Sequence, residues 1–422
     1  MANVQISAQE QLVIELLNRA RLDPAAEAAR YGIGLNDGLS SGSISSAPKA
    51  PLAWNADLGE ASALHSEWML ATDTFSHPGA NGSSSSTRMA NAGYSFSGSW
   101  SAGENISWRG TTGSVDPTGM ALEQHKGLFL SAGHRVNILG DFREVGVGQE
   151  LGGFTRSGVT YNSSMLTENF AKSGTRAFVT GVAFQDRDGD GFYDAGEGTG
   201  SVTFDWLGNS GNAVNTGSAG GYGVAIPTGL SGTATVAVTS NGATQQAVLG
   251  MTGTNVKLDL INGNILAAST DLTLGSGAKN GRLLGTASID LTGNTSANRL
   301  EGNKGANDIF GGGGSDTLVG AAGNDRLEGA SGNDSFTGGS GSDSFVFKDL
   351  SGSTTGQDRI IDLGSGDRIV IDLMGSLPSE AAWEDSHISA ATGGFTVALD
   401  DGSQIFVAGT TLSTLENALT LV

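Results

Sequence analysis

The sequence predicts a multidomain chain: an α-β-α sandwich at the N-terminus, then a small β-sandwich, then a parallel β-roll. Three observations carry this. A helix-period apolar pattern gives way to short β-branched runs near residue 175. A twelve-residue acidic loop sits among those runs, at 186–197. Six uninterrupted nine-residue repeats fill 293–346. A chain of 422 residues has room for two to four domains.

The first segment, 1–174, opens on Ser7-Ala-Gln-Glu10, a capping box ahead of an apolar face of Leu12, Val13, Leu16, Leu17 and Ala20. Asp23-Pro24 restarts a helix ending near Gly32. Helices are expected over 57–71 and 119–130, loops over 76–118, and strands over 144–149 and 161–170. The segment 175–261 reads as a β-sandwich of five short strands with Gly-rich turns. Residues 262–292 read as a polar linker, and 347–422 as a C-terminal cap.

In the repeats, Gly293, Gly302, Gly311, Gly320, Gly329 and Gly338 hold the first position. Asn298, Asn307, Asp316, Asp325, Asp334 and Asp343 hold the sixth, and Leu300, Ile309, Leu318, Leu327, Phe336 and Phe345 the eighth. A carboxylate and an inward apolar residue per repeat suit half-turns of a roll closed by Ca²⁺. A flexible Gly/Asp linker does not explain the apolar residue in every repeat. The two asparagines keep an oxygen but lose charge, so the first turn is expected to bind more weakly. In the middle segment, Asp186, Asp188 and Asp190 fall at positions 1, 3 and 5 of a calcium loop. Gly191 makes its turn, Phe192 offers a carbonyl, and Asp194 and Glu197 take positions 9 and 12.

Charge agrees with this reading. The chain has 43 acids and 22 bases, for a net −21. Residues 286–422 alone carry 19 acids against 6 bases. Such a third repels itself unless cations neutralise it, and it argues against a nucleic-acid partner. With no cysteine there are no disulfides and no thiolate metal sites. No basic segment with an apolar core opens the chain, so no cleavable signal peptide is expected, and no apolar run is long enough to span a membrane.

Several blocks then carry resemblances. Leu17-Asn-Arg-Ala-Arg21, Leu52-Ala-Trp54, Phe75-Ser-His77, Gly103-Glu-Asn-Ile106, Ser131-Ala-Gly-His-Arg-Val-Asn-Ile-Leu139 and Val145-Gly-Val-Gly148 occur in that order. Together, over about 7–171, they resemble the bacterial branch of the CAP superfamily of SCP-like extracellular proteins. The resemblance implies a shallow cleft where His77, Glu104 and His134 hold a divalent metal such as zinc. The family's second cleft glutamate has no counterpart before His134, and His125 could substitute for it. His65 is expected in the core and His387 on the surface. A Ser131/His134 pair is too common to propose a triad. The calcium loop and Gly220-Gly-Tyr-Gly-Val-Ala-Ile-Pro227 resemble SdrD B-like or Cna B-like domains of surface proteins. The repeats, best at Gly338–Val346, resemble the RTX repeats of type I-secreted bacterial proteins. The tail is similar to the C-terminal flank of serralysin-type members.

The resemblances imply an extracellular or surface protein, exported through type I secretion machinery and folded by calcium outside the cell. Its CAP module is expected to bind a lipid, glycan or protein, more as a binding domain than as an enzyme. A zinc-dependent hydrolase and an adhesion or matrix component are the rival readings.

Overall fold

The computed structural model describes residues 6–207, 213–226, 230–349, 356–373 and 380–422. It divides into two compact units. The first comprises Met1–Asp205, Asn209–Gly232 and Met251–Gly263, and the second Trp206–Gly208, Thr233–Gly250 and Asn264–Val422. Among the described residues no helix is long and apolar enough to cross a membrane.

In the first unit, α1 (Ala8–Leu22) starts at the capping box, with Ser7 and Glu10 each closing the other's backbone N–H. Pro24 opens α2 (Pro24–Arg30). Next come β1 (Ala53–Trp54), α3 (Ala56–Ala71), α4 (Ser85–Asn91), β2 (Trp100–Thr111), α5 (Pro117–Leu130), α6 (Ala132–Ile138), β3 (Glu144–Arg156) and β4 (Val159–Ser173). The four strands form one sheet in the order β1-β3-β4-β2. Alternation along β3 fixes its faces. Val145 and Val147 join Val13, Leu17, Leu128 and Phe129 in the core under α1 and α5. Gly146 and Gly148 face α3. A Cβ on Gly146 would lie 2.0 Å from the Leu58 carbonyl carbon, and one on Gly148 2.2 Å from the Ala63 nitrogen. Ser62 and Ser66 donate to the carbonyls of Gly146 and Gly148. The Val-Gly-Val-Gly block is therefore the seat of α3.

The loop expected over 76–118 is corrected. It holds α4 and β2, which pairs with β4 from Trp100↔Ser173 to Thr111↔Asn162. Glycines 103 and 110 and several polar residues hid its alternation from the sequence.

The first unit continues through β5 (Ala177–Phe184), β6 (Thr203–Trp206), β7 (Val214–Asn215), β8 (Gly221–Ile226) and the strand Val256–Ile261. β5 lies between that last strand, with which it pairs parallel, and β8, with which it pairs antiparallel. These strands pack on the N-terminal layers through buried polar groups. Lys257 Nζ lies 2.9 Å from Glu15 Oε2 and also bonds Asp259, with all three side chains buried. Asn255 donates to the carbonyls of Pro51 (2.8 Å) and Arg143 (2.6 Å).

Residues 262–292 do not act as a plain linker; from Asn264 on they belong to the second unit. Their strands Ile265–Ala268, Leu272–Leu274, Asn280–Leu283 and Leu291–Thr292 lead straight into two parallel sheets. One sheet stacks Leu272, Leu291, Ile309, Leu327, Phe345, Ile369 and Leu419 in register. The other stacks Leu300, Leu318, Phe336, Ile360 and Val407. Partners such as Leu300↔Leu318 are two repeats apart, so each nonapeptide is half a turn. These large parallel sheets, with every eighth-position side chain fully buried, have the organisation of a β-roll.

Candidate functional sites

The cleft residues come from three elements and the loop after α3. Glu104 projects from β2 and is almost fully buried; its Oε1 lies 3.0 Å from His77 Nδ1. Its Oε2 is taken by Arg88 Nη2 from α4. Arg88 is held in turn, with Nη1 donating to Ser83 O at 2.7 Å. The His77 ring is 53% exposed. His134, on α6, puts Nδ1 2.8 Å from Ser131 Oγ. Burial, and then the charge of His77, hold its pKa below the usual imidazole value.

A polar layer underlies these groups. Asn105 donates to Glu168 Oε2 (3.0 Å) and His134 O (3.3 Å), while Asn137 donates to Asn105 Oδ1 (2.9 Å) and Glu104 O (3.2 Å). Glu168 is fully buried with Oε1 unpartnered, and burial pushes its pKa up to about 7.

His125 does not join the cleft. It is completely buried, 3.2 Å from Glu27 Oε1, with Tyr31 and Phe129 around its ring. Burial pushes Glu27 upward, but hydrogen bonds from His125 and Arg19 prevail and bring it to about 2. His65 stacks on Trp68 and bonds Ser76 O, a packing role.

The donor set does not fit zinc. Among the described residues the single grouping of three His or acid ligand atoms within 4.8 Å of one another is Asp186, Asp188 and Asp190. His77, Glu104 and His134 form no such group, and both Glu104 oxygens are engaged. Sequence reasoning missed Arg88, because nothing local marks it as a partner of a residue sixteen positions on.

The loop at 186–197 brings its first three aspartates together. Asp186 accepts from the N–H groups of Gly189 and Gly191, which curls the loop. Glu197 is buried and accepts from the N–H groups of Arg187 (2.7 Å) and Asp194 (3.0 Å), so it laces the loop shut. Burial, then the surrounding acids Asp188, Asp190, Glu197 and Asp186, raise Asp194.

In the roll, the Oδ1 atoms of Asp316, Asp325, Asp334 and Asp343 accept the N–H groups of Asn298, Asn307, Asp316 and Asp325. All four Oδ2 atoms are buried without a partner. Asp358 and Asp367 repeat the bond to Asp334 and Asp343. The ladder thus runs beyond Val346, onto Asp358-Arg-Ile and Asp367-Arg-Ile. Asn298 and Asn307 differ. Their amides donate to Lys279 O (3.0 Å) and Ile289 O (2.7 Å) while accepting from Asn294 and Asn303, so side-chain amides lace these turns.

Residues 14–162 match the cysteine-rich secretory protein (CAP) family, and 290–318 and 310–345 match the RTX calcium-binding nonapeptide repeat. The chain carries a CAP domain and RTX repeats. Its CAP domain contains no cysteine despite the family's name. The RTX repeats bind calcium, and both modules are typical of extracellular proteins. Among solved structures, an extracellular SCP-domain protein from Bacillus anthracis str. Ames is 22% identical, with 39% of this chain and 40% of that one covered and a TM-score of 0.25. The AlgE6R3 subunit of the Azotobacter vinelandii mannuronan C5-epimerase is 28% identical, over 30% and 78% of the chains, with a TM-score of 0.24. The extracellular lipase LipA of Serratia marcescens is 17% identical, over 43% and 30%, with a TM-score of 0.26. The chain therefore spans well under half of the first of these proteins. No curated protein matches it in sequence.

Proposed function

We propose that this is an exported, calcium-folded binding protein whose CAP module presents a non-catalytic cleft to a lipid, glycan or protein. The observation behind it is the run of buried, unpartnered Oδ2 atoms at Asp316, Asp325, Asp334 and Asp343, which calls for divalent ions. Where calcium is scarce, the charged roll stays unfolded and passes through a type I channel; outside, calcium affinity becomes folding free energy. Asp186, Asp188 and Asp190, with Asp194 and the Phe192 carbonyl, hold a further calcium ion that braces the middle strands. Glu197 acts there by closing the loop. Residues 347–422 cap the roll and carry the export signal.

The non-catalytic reading rests on the cleft carboxylate of Glu104 being ion-paired with Arg88 and hydrogen-bonded to His77. Two measurements test the proposal on the full chain. Calcium titration followed by circular dichroism is expected to show coil turning to β; a β signal unchanged by chelator refutes the calcium-folding account. Lipid and glycan binding is expected to fall with His77→Ala or His134→Ala. Equal binding by these variants removes the cleft from recognition.

A further inference from the structure

We infer that Arg88 is a built-in cation occupying the place of a metal ion in the His77–Glu104–His134 cleft, so that the cleft works without a resident metal. Among the described residues Glu104 is the one acid bonded to these groups, and it can be a strong ligand only if a lone pair is free to point at an ion. Oε1 is on His77 Nδ1 at 3.0 Å, and Oε2 is on the Arg88 guanidinium. An ionised carboxylate only accepts, so His77 must donate through Nδ1–H. That leaves its lone pair, when the ring is neutral, on Nε2, on the side away from Glu104. His134 likewise has Nδ1 engaged, with Ser131.

Electrostatics point the same way. The Arg88 side chain is only 12% exposed, and a guanidinium does not deprotonate. A divalent ion bound at Glu104 would face that charge across a poorly screened gap. Nor can Arg88 swing aside at little cost. Its Nη1 is pinned to Ser83 O, and the turn from Gly79 to Ser83 wraps it so closely that a Cβ on Gly79 would lie 3.1 Å from Nη1. The consequence is a pre-neutralised centre. Arg88 pairs with Glu104, Glu104 orients His77, and the half-exposed imidazole is left to meet a ligand by hydrogen bonding. Arg88 is a positioning residue in this scheme.

The test uses the full chain saturated with calcium, so that the oxygen-lined sites are filled, and Co²⁺ as the probe. A histidine-ligated cobalt centre absorbs visibly, whereas all-oxygen octahedral sites absorb weakly. Wild type is expected to show no band that depends on His77 or His134. Arg88→Glu, which removes the cation and adds a carboxylate beside Glu104, is expected to gain one such site, binding Co²⁺ about ten-fold or more tightly than wild type. Adding His134→Ala should abolish it. Arg88→Gln serves as the milder variant if near-ultraviolet circular dichroism shows that Arg88→Glu disturbs the fold. A His77- or His134-dependent band in the wild type overturns the inference. So does failure of a folded Arg88 variant to gain one, because Arg88 would then not be what excludes the ion. This result is separable from calcium folding, which the cobalt arm leaves untouched.

Discussion

The carboxylate of Asp316 accepts the backbone N–H of Asn298, eighteen residues earlier, at 2.7 Å through Oδ1, and buries its other oxygen without a partner. The same relation repeats up the roll, so a line of half-satisfied carboxylates runs through a region short of positive charge.

Burial pushes Asp316 and Asp325 to about 7, Asp334 to about 6 and Asp358 to about 8. A carboxyl whose folded pKa lies above its unfolded value of about 4 favours folding when protonated. Its contribution is complete below about pH 4 and disappears as pH rises through about 6–8. Without calcium, the β circular dichroism should therefore be greater at about pH 5 than at about pH 8. Saturating calcium should abolish the difference, since the ion replaces the proton. A chelated protein equally structured at both pH values contradicts this.

The asparagine turns behave differently. Asn298→Ala leaves the Asn294 N–H without a partner and Lys279 O with the Arg299 N–H alone, and Asn307→Ala leaves Ile289 O and the Asn303 N–H without theirs. Each should cost about 1–3 kcal/mol in calcium-loaded protein. The calcium stoichiometry should stay the same, whereas Asp325→Ala should lower it. Urea denaturation and equilibrium dialysis separate the two classes.

Ala321 and Ala330 adopt φ of 77° and 67°, where the neighbouring repeats place Gly312 and Gly339. A left-handed alanine costs roughly 1–2 kcal/mol, partly offset by the entropy a glycine loses on folding. Ala321→Gly should thus stabilise the loaded roll by about 0.5–1 kcal/mol, visible as a higher unfolding midpoint.

Lys257 joins Glu15 of α1 to Asp259 of a strand some 240 residues on. Lys257→Met would bury two acids with no cation and should destabilise the first unit by about 3–5 kcal/mol. The melting of CAP-domain tryptophans is the readout. An unchanged midpoint would mean that the CAP layers and the following strands fold independently.

Much of the protein was legible in its residues. Nine-residue spacing dictated half-turns, because a fixed period of glycine, carboxylate and apolar side chain has one way to bury its apolar member. The capping box at Ser7 and the run of acids from Asp186 were equally local signals. Strand β2 was not, since glycines and serines broke its alternation and only pairing with β4 makes it a strand. The metal expectation for His77, Glu104 and His134 also rested on residue types alone. Motif order could say that these side chains approach one another, but not what lies between them. The three-dimensional packing put the Arg88 guanidinium on Glu104 and sealed His125 against Glu27. It also closed the Asn298 turn with an amide, because partner choice depends on distances between segments that no local pattern encodes.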